Sequence, residues 1–199
     1  MNKEIRNDYA TQFIDTVSKE MEINYANKYR TVILSDEVDR NSIFKCMYWL
    51  DKIVENDKKL GTKEDITIRI NSFGGVCYMG LGLISRIQEL QEEGYKIIGI
   101  VDGVAMSMGS AILNVCSIRK ARRYSTILIH QVNGGAYGEL RRMEDEVNEA
   151  KRLWSLLRSM YLEYTNITEE KLNEVYEKKI DWFISPKEAL ELKIVDEII

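Results

Sequence analysis

The chain has 199 residues, 45% of them hydrophobic and 30% charged, with 28 Lys plus Arg against 32 Asp plus Glu. A formal charge of −4 gives no global bias toward nucleic acid or an anionic membrane, and the composition excludes gross disorder. There is one histidine, His130, which excludes any metal site that needs two imidazoles, and one proline, Pro186.

Residues 1–29 are polar and weakly periodic, and read as an arm ahead of a main fold over 30–199. No apolar signal core occurs there, and no stretch approaches 18 uninterrupted apolar residues, so the expected location is the cytoplasm. Cys46, Cys77 and Cys116 are odd in number and lack CxxC spacing, which fits free thiols in a reducing compartment. Arg30 to Leu34 is a short β-prone run. From Asp39 to about Asn56, Ile43, Met47, Leu50 and Val54 recur at helical spacing, with Phe44 and Ile53 widening the stripe. Ile66 to Ile70 reads as a strand, followed directly by a Gly-rich turn, SFGGV. A helix from about Met79 to Gln91 carries Leu83, Ile84, Ile87 and Leu90 on one face. Lys96 to Val101 is the next strand, the small-residue segment GVAMSMGSAILN follows, and Thr126 to Ile129 ends a fourth strand. Alternating strands and helices predict an α/β fold with a largely parallel sheet.

The last third changes character. Leu140, Met143, Val147, Ala150, Trp154, Leu157 and Tyr161 are spaced alternately three and four apart, and Leu153, Leu156, Met160 and Tyr164 widen the apolar surface. Such a seam belongs either to a long helix packed on its own domain or to one that packs on a partner subunit, the second being favoured. A shorter helix is expected over Glu169 to Tyr176. Pro186 suits the first turn of a last helix, with Ser185 as N-cap.

Chemistry concentrates after two strands, where open parallel sheets gather their sites. Adjacent glycines in Ser72-Phe73-Gly74-Gly75-Val76 let amide N–H groups point together at an anion, or simply make a tight turn. Ser107, between Met106 and Met108, stands where a helix starts after a sharp turn. That suits a nucleophile elbow, although only Gly109 fits the G-x-S-x-G spelling. The small residues around it also suit mere close packing of helix on strand. His130 ends a strand one element later, before the flexible Gln131-Val132-Asn133-Gly134-Gly135 loop, and neutral imidazole is the natural acceptor of a serine proton near pH 7. Its orienting carboxylate cannot be chosen by spacing among 32 acids.

The strings INSFGGV, DGVAMSMGSAIL, LIHQVNGGAYGE and KKIDWFISPKEALELKIVDEI resemble the proteolytic subunit of the Clp protease, in order and at similar spacings, from about Thr31 to Ile199. The resemblance implies the spiral of β-α-β units shared by Clp peptidases and crotonases, with a projecting handle helix at about 139–164. It implies a serine endopeptidase with Ser107 as nucleophile, His130 as general base and Asp181 as the acid. The amides of Gly74 and Met108 would form the oxyanion hole. An extended substrate would lie between Gly75 and Val76 on one side and Val132, Asn133 and Gly134 on the other. No cofactor or metal is implied. The partners would be a second copy of the chain (heptameric rings stacked as a tetradecamer), peptide or unfolded protein, and a hexameric AAA+ ATPase; the chain itself has no Walker A sequence. Two departures stand out: Phe73 occupies the place of the family's usual proline, and residues 1–29 lack the family's Arg-Gly-Glu run. The second leaves open a processing protease of phage or plasmid type that works without an ATPase. A crotonase-type acyl-CoA enzyme and a non-catalytic ring subunit are the remaining alternatives, and neither needs a complete triad.

Overall fold

The computed structural model describes residues 17–18, 20–21, 23–26 and 28–199, so the first half of the expected arm lies outside the described residues. The described residues among 17–29 are helical. Strand β1, Thr31–Val38, runs into helix α1, Arg40–Leu60. The junction is a capping box: Asp39 accepts from the Ser42 amide at 2.7 Å, and the Asp39 amide donates to Ser42 Oγ at 3.0 Å. The helix ends on Gly61, whose φ of 66° is left-handed. Ile43, Cys46, Leu50, Ile53 and Val54 form its buried face. Phe44 departs from expectation: one helical position round from Ile43, it turns outward and is 70% exposed.

Strand β2, Ile66–Gly75, is longer than the sequence suggested, because the SFGG segment is extended rather than a turn. Gly74 and Gly75 take φ of 93° and 148°, and the pair stays in register beside β1, opposite Glu37 and Val38, past a bulge at Asp36/Glu37. A Cβ on Gly75 would meet the Val38 carbonyl oxygen at 2.5 Å. Glycine therefore lets the strand continue where another residue would force it away. Helix α2, Cys77–Glu92, buries Leu83, Ile84, Ile87 and Leu90, as its periodicity predicts.

Strand β3, Ile97–Met106, also overruns its expected end, since its two halves serve different neighbours. Ile98 to Val101 pair in parallel with β4, Ile118–Ala121, and Val104 to Met106 pair in parallel with β5, Thr126–Ile129. Helix α3, Met108–Asn114, follows β3, and every residue of it is buried. Helix α4 spans Leu140–Tyr164 and α5 spans Glu169–Glu177. Strand β6, Trp182–Ile184, runs antiparallel to β5, then α6, Pro186–Glu191, starts on the Ser185 cap with proline in its first turn. Strand β7, Glu197–Ile198, closes on β4. The short strands β4, β6 and β7 carry too few residues for a periodicity to be read. The result is a mixed α/β fold around one parallel-dominated sheet ordered β1-β2-β3-β4-β7, with β5 and β6 branching from β3. Helix α1 packs on β1 and α2, while α3 fills the space between β2, β3 and α4. Among the described residues no helix is long and apolar enough to cross a membrane.

Candidate active site

Strand register assembles the site. In the antiparallel β5–β6 pair Ile129 faces Trp182, so the next pair outward is His130 and Asp181. Their side chains meet there, with His130 Nδ1 3.0 Å from Asp181 Oδ1. In the parallel β3–β5 pair Met106 faces Leu128, and the Ser107 amide donates to the Leu128 carbonyl at 2.9 Å. Serine and histidine therefore emerge from adjacent strands at one end of the sheet. Strand β2 completes the junction, since Ser72 lies opposite Ala105 and brings Gly74 against the serine. The approach is so close that a Cβ on Gly74 would sit 2.6 Å from Ser107 Cβ and 2.7 Å from the Met106 carbonyl oxygen. Only glycine fits there.

Ser107 itself has φ 52° and ψ −120°, a backbone shape that a non-glycine residue holds only when its surroundings enforce it. It is partly exposed, and the helix after it leaves the Met108 amide without an acceptor among the described residues. Met108 N lies 3.1 Å from the position a Gly74 Cβ would take, so the amides of the two expected oxyanion donors are close neighbours. The Gly74 amide is already occupied: it donates to Ser72 Oγ at 3.2 Å, and that hydroxyl donates to the Asp36 carbonyl. Ser107 Oγ and the His130 ring share the cleft without a direct hydrogen bond among the described residues. His130 is 20% exposed and Asp181 62%, and Asn133 Nδ2 also approaches His130 Nδ1, at 3.4 Å.

A cleft of about 410 Å³ opens over the serine, lined by Phe73, Gly75, Val76, His130, Val132 and Asn133 among others. Four of the five residues expected beside a substrate, Gly75, Val76, Val132 and Asn133, therefore face Ser107; Gly134 lies farther out, in a neighbouring hollow beneath α4. Phe73, in the proline position, is a 70% exposed aromatic wall. Glu37, Cys77, Leu157 and Tyr161 also line the cleft and were not legible in the sequence as site residues. Glu37 hides at a strand end, and Leu157 and Tyr161 look like ordinary positions of the α4 seam. Burial pushes the Cys77 thiol up, which keeps it protonated and a poor nucleophile. Burial likewise raises the Tyr161 phenol to about 12, so it stays a neutral hydroxyl that can donate.

A serine on a strained elbow, an imidazole paired with a carboxylate and an unpaired amide beside the serine are the parts of acyl transfer. The family profile described as "Clp protease" matches residues 16–199. Among curated proteins, the ATP-dependent Clp protease proteolytic subunit of Dehalococcoides mccartyi strain BAV1 is 31% identical over 179 residues, covering 86% of this chain and 82% of the relative. The same subunit from strain CBDB1 matches equally, and that from strain 195 is 29% identical over the same coverage.

Proposed function

The chain belongs to the Clp protease family and is a proteolytic enzyme of the serine peptidase class, and from that premise we propose that it cleaves peptide bonds through a Ser107–His130–Asp181 triad. The observation that carries this reading is the juxtaposition of the strained Ser107 with His130 in one cleft, His130 being held by Asp181 at 3.0 Å. Ser107 Oγ attacks the substrate carbonyl carbon while His130 Nε2 takes its proton. Asp181 holds Nδ1–H and so selects the tautomer whose free nitrogen faces the serine. The Met108 amide receives the developing oxyanion at once. Gly74 joins it by exchanging the neutral Ser72 hydroxyl for a charged acceptor, the stronger of the two bonds. His130 then returns the proton to the leaving amine, and water, activated by the same imidazole, releases the acyl group.

The substrate is peptide or unfolded polypeptide, lying extended between Gly75–Val76 and Val132–Gly134. The chain works as a homo-oligomer, a reading supported by the exposed apolar Leu140, Met143 and Val147 on α4, and heptameric rings stacked as a tetradecamer are what the family resemblance implies. A hexameric AAA+ ATPase is the further partner suggested by the relatives' name. The working location is the cytoplasm, in keeping with the free thiols Cys46, Cys77 and Cys116. The family assignment removes the crotonase-type alternative.

A fluorophosphonate probe tests the reading. It is expected to label the protein at Ser107 and to lose all labelling in Ser107→Ala, with peptidase activity falling at least about a thousandfold. Labelling at another residue, or activity surviving in Ser107→Ala, overturns it.

A further inference from the structure

A short polar relay that has no part in the triad links Ser107 to α4, and its far end, Tyr161, also lines the cleft. Tyr161, near the end of α4 and 3% exposed, lies 2.7 Å from Ser110 Oγ, and Ser110 is fully buried. Ser110 Oγ is also 2.7 Å from the Ser107 carbonyl oxygen. A carbonyl only accepts, so the Ser110 hydroxyl proton is committed to Ser107 and its lone pair must accept from the Tyr161 phenol. Direction is therefore fixed along the whole chain, from Tyr161 O–H to Ser110 O–H to Ser107 C=O. The same carbonyl accepts the Ser110 amide at 3.0 Å and the Ala111 amide at 3.2 Å, two ordinary bonds of a starting helix.

What the relay holds is one half of a rigid unit. The Ser107 carbonyl and the Met108 amide belong to a single planar trans peptide, so an oxygen held on the helix side points the N–H the opposite way. Gly74 borders that amide, the Met108 nitrogen lying 3.1 Å from the position a Gly74 Cβ would take. The plane also begins at a residue with unfavourable φ and ψ, which would relax by rotation if its carbonyl were released. A rotation of this peptide would turn the Met108 N–H away from the place where the oxyanion forms.

We infer that Tyr161 and Ser110 are positioning residues for the reaction: by fixing the Ser107 carbonyl they hold the Met108 amide aimed into the oxyanion hole. Because Tyr161 sits on α4, this ties the competence of the elbow to the seating of that helix. A second tie lies beside it, Asn114 Nδ2 donating to the Met160 carbonyl at 3.0 Å. The inference rests on Ser107 being the nucleophile.

The test uses the full chain as it assembles, with Tyr161→Phe, Ser110→Ala and the double variant. Ser110→Ala leaves a buried phenol unpaired and can fail to fold, whereas Tyr161→Phe keeps the Ser110 bond and the double variant leaves no orphan. Tyr161→Phe is expected to lower kcat about tenfold with KM unchanged. Affinity for a peptide boronate, whose tetrahedral adduct uses the oxyanion hole, is expected to weaken by the same factor as kcat/KM. The loss in the double variant is expected to match that of Ser110→Ala rather than the product of the singles, because the phenol acts through the serine. Wild-type kcat in Tyr161→Phe overturns the inference, as does a fall in kcat with boronate affinity untouched or fully multiplicative losses. Failure of wild-type protein to label at Ser107 is the separate result that sinks the reading beneath it.

Discussion

The two halves of α4 carry the same seam and meet opposite fates. In the first half Leu140 is 74% exposed and Val147 49%, with Met143 also exposed. In the second half Leu153, Trp154, Leu157, Met160 and Tyr161 are buried, and the Trp154 ring stacks on Tyr176 at 5.8 Å. A heptad seam states that a helix needs cover but not who supplies it. Here the protomer covers the half that touches the Ser107 elbow and leaves the other half bare. Of the two packings between which the sequence leaves a choice, packing on the helix's own domain accounts for the second half, while the apolar residues of the first half stay exposed.

The contrast breaks most directly at Trp154. Trp154→Ala removes a buried ring from the covered half and is expected to cost about 3–5 kcal/mol of stability, read from chemical unfolding. A loss under about 1 kcal/mol would mean that this half is no better anchored than the other. A smaller effect comes from acid. Arg119 donates to the Tyr164 carbonyl, the last residue of α4, at 2.7 Å and pairs with Asp196 at 2.7 Å, latching the covered half to the C-terminal strand region. Burial alone would raise the Asp196 carboxyl, but the Arg119 side-chain and backbone bonds outweigh it and hold the group below the usual carboxylate range. A carboxyl depressed on folding adds stability above its unfolded pKa and loses it as pH falls through the folded one. Stability should therefore fall as pH drops below about 4, and Asp196→Asn should flatten that fall; an unchanged pH slope would remove the latch. The smallest effect on the protomer belongs to the bare half. Val147→Glu is expected to change protomer unfolding by less than about 0.5 kcal/mol while light scattering reports loss of the high-mass species. Retained mass would show that this face is not where copies meet.

A second contrast runs across the site. The serine side is over-determined: Ser107 is pinned by the Leu128 carbonyl, by Gly74 pressed against its Cβ, and by the Ser110 hydroxyl on its carbonyl. The histidine side depends on one pair with a largely exposed carboxylate and on a loop whose Asn133 also reaches the ring. Strain must be enforced by packing, whereas a general base needs only orientation and room to move a proton.

Periodicity by itself determined the helices that bury a face, because Leu83, Ile84, Ile87 and Leu90 can share a stripe in only one regular conformation. Local chemistry likewise determined the Ser185–Pro186 helix start, which depends on neighbours in the chain. Residue type and place also nominated Ser107, at a helix start after a sharp turn, and His130, at the end of a readable strand. Only the tertiary structure decided that SFGG runs on as strand, that β3 divides between two partners, and that Phe44 faces outward. Those outcomes depend on which neighbour lies alongside, a contact no local pattern encodes. Asp181 is the clearest case. Spacing alone does not distinguish it from 31 other acids, only the resemblance of the string around it singled it out, and it reaches His130 because the β5–β6 register sets residues 130 and 181 opposite each other. Tyr161 is the same lesson on a helix: its place in the seam was legible, but the bond it makes to Ser110 across 51 residues belongs to the fold alone.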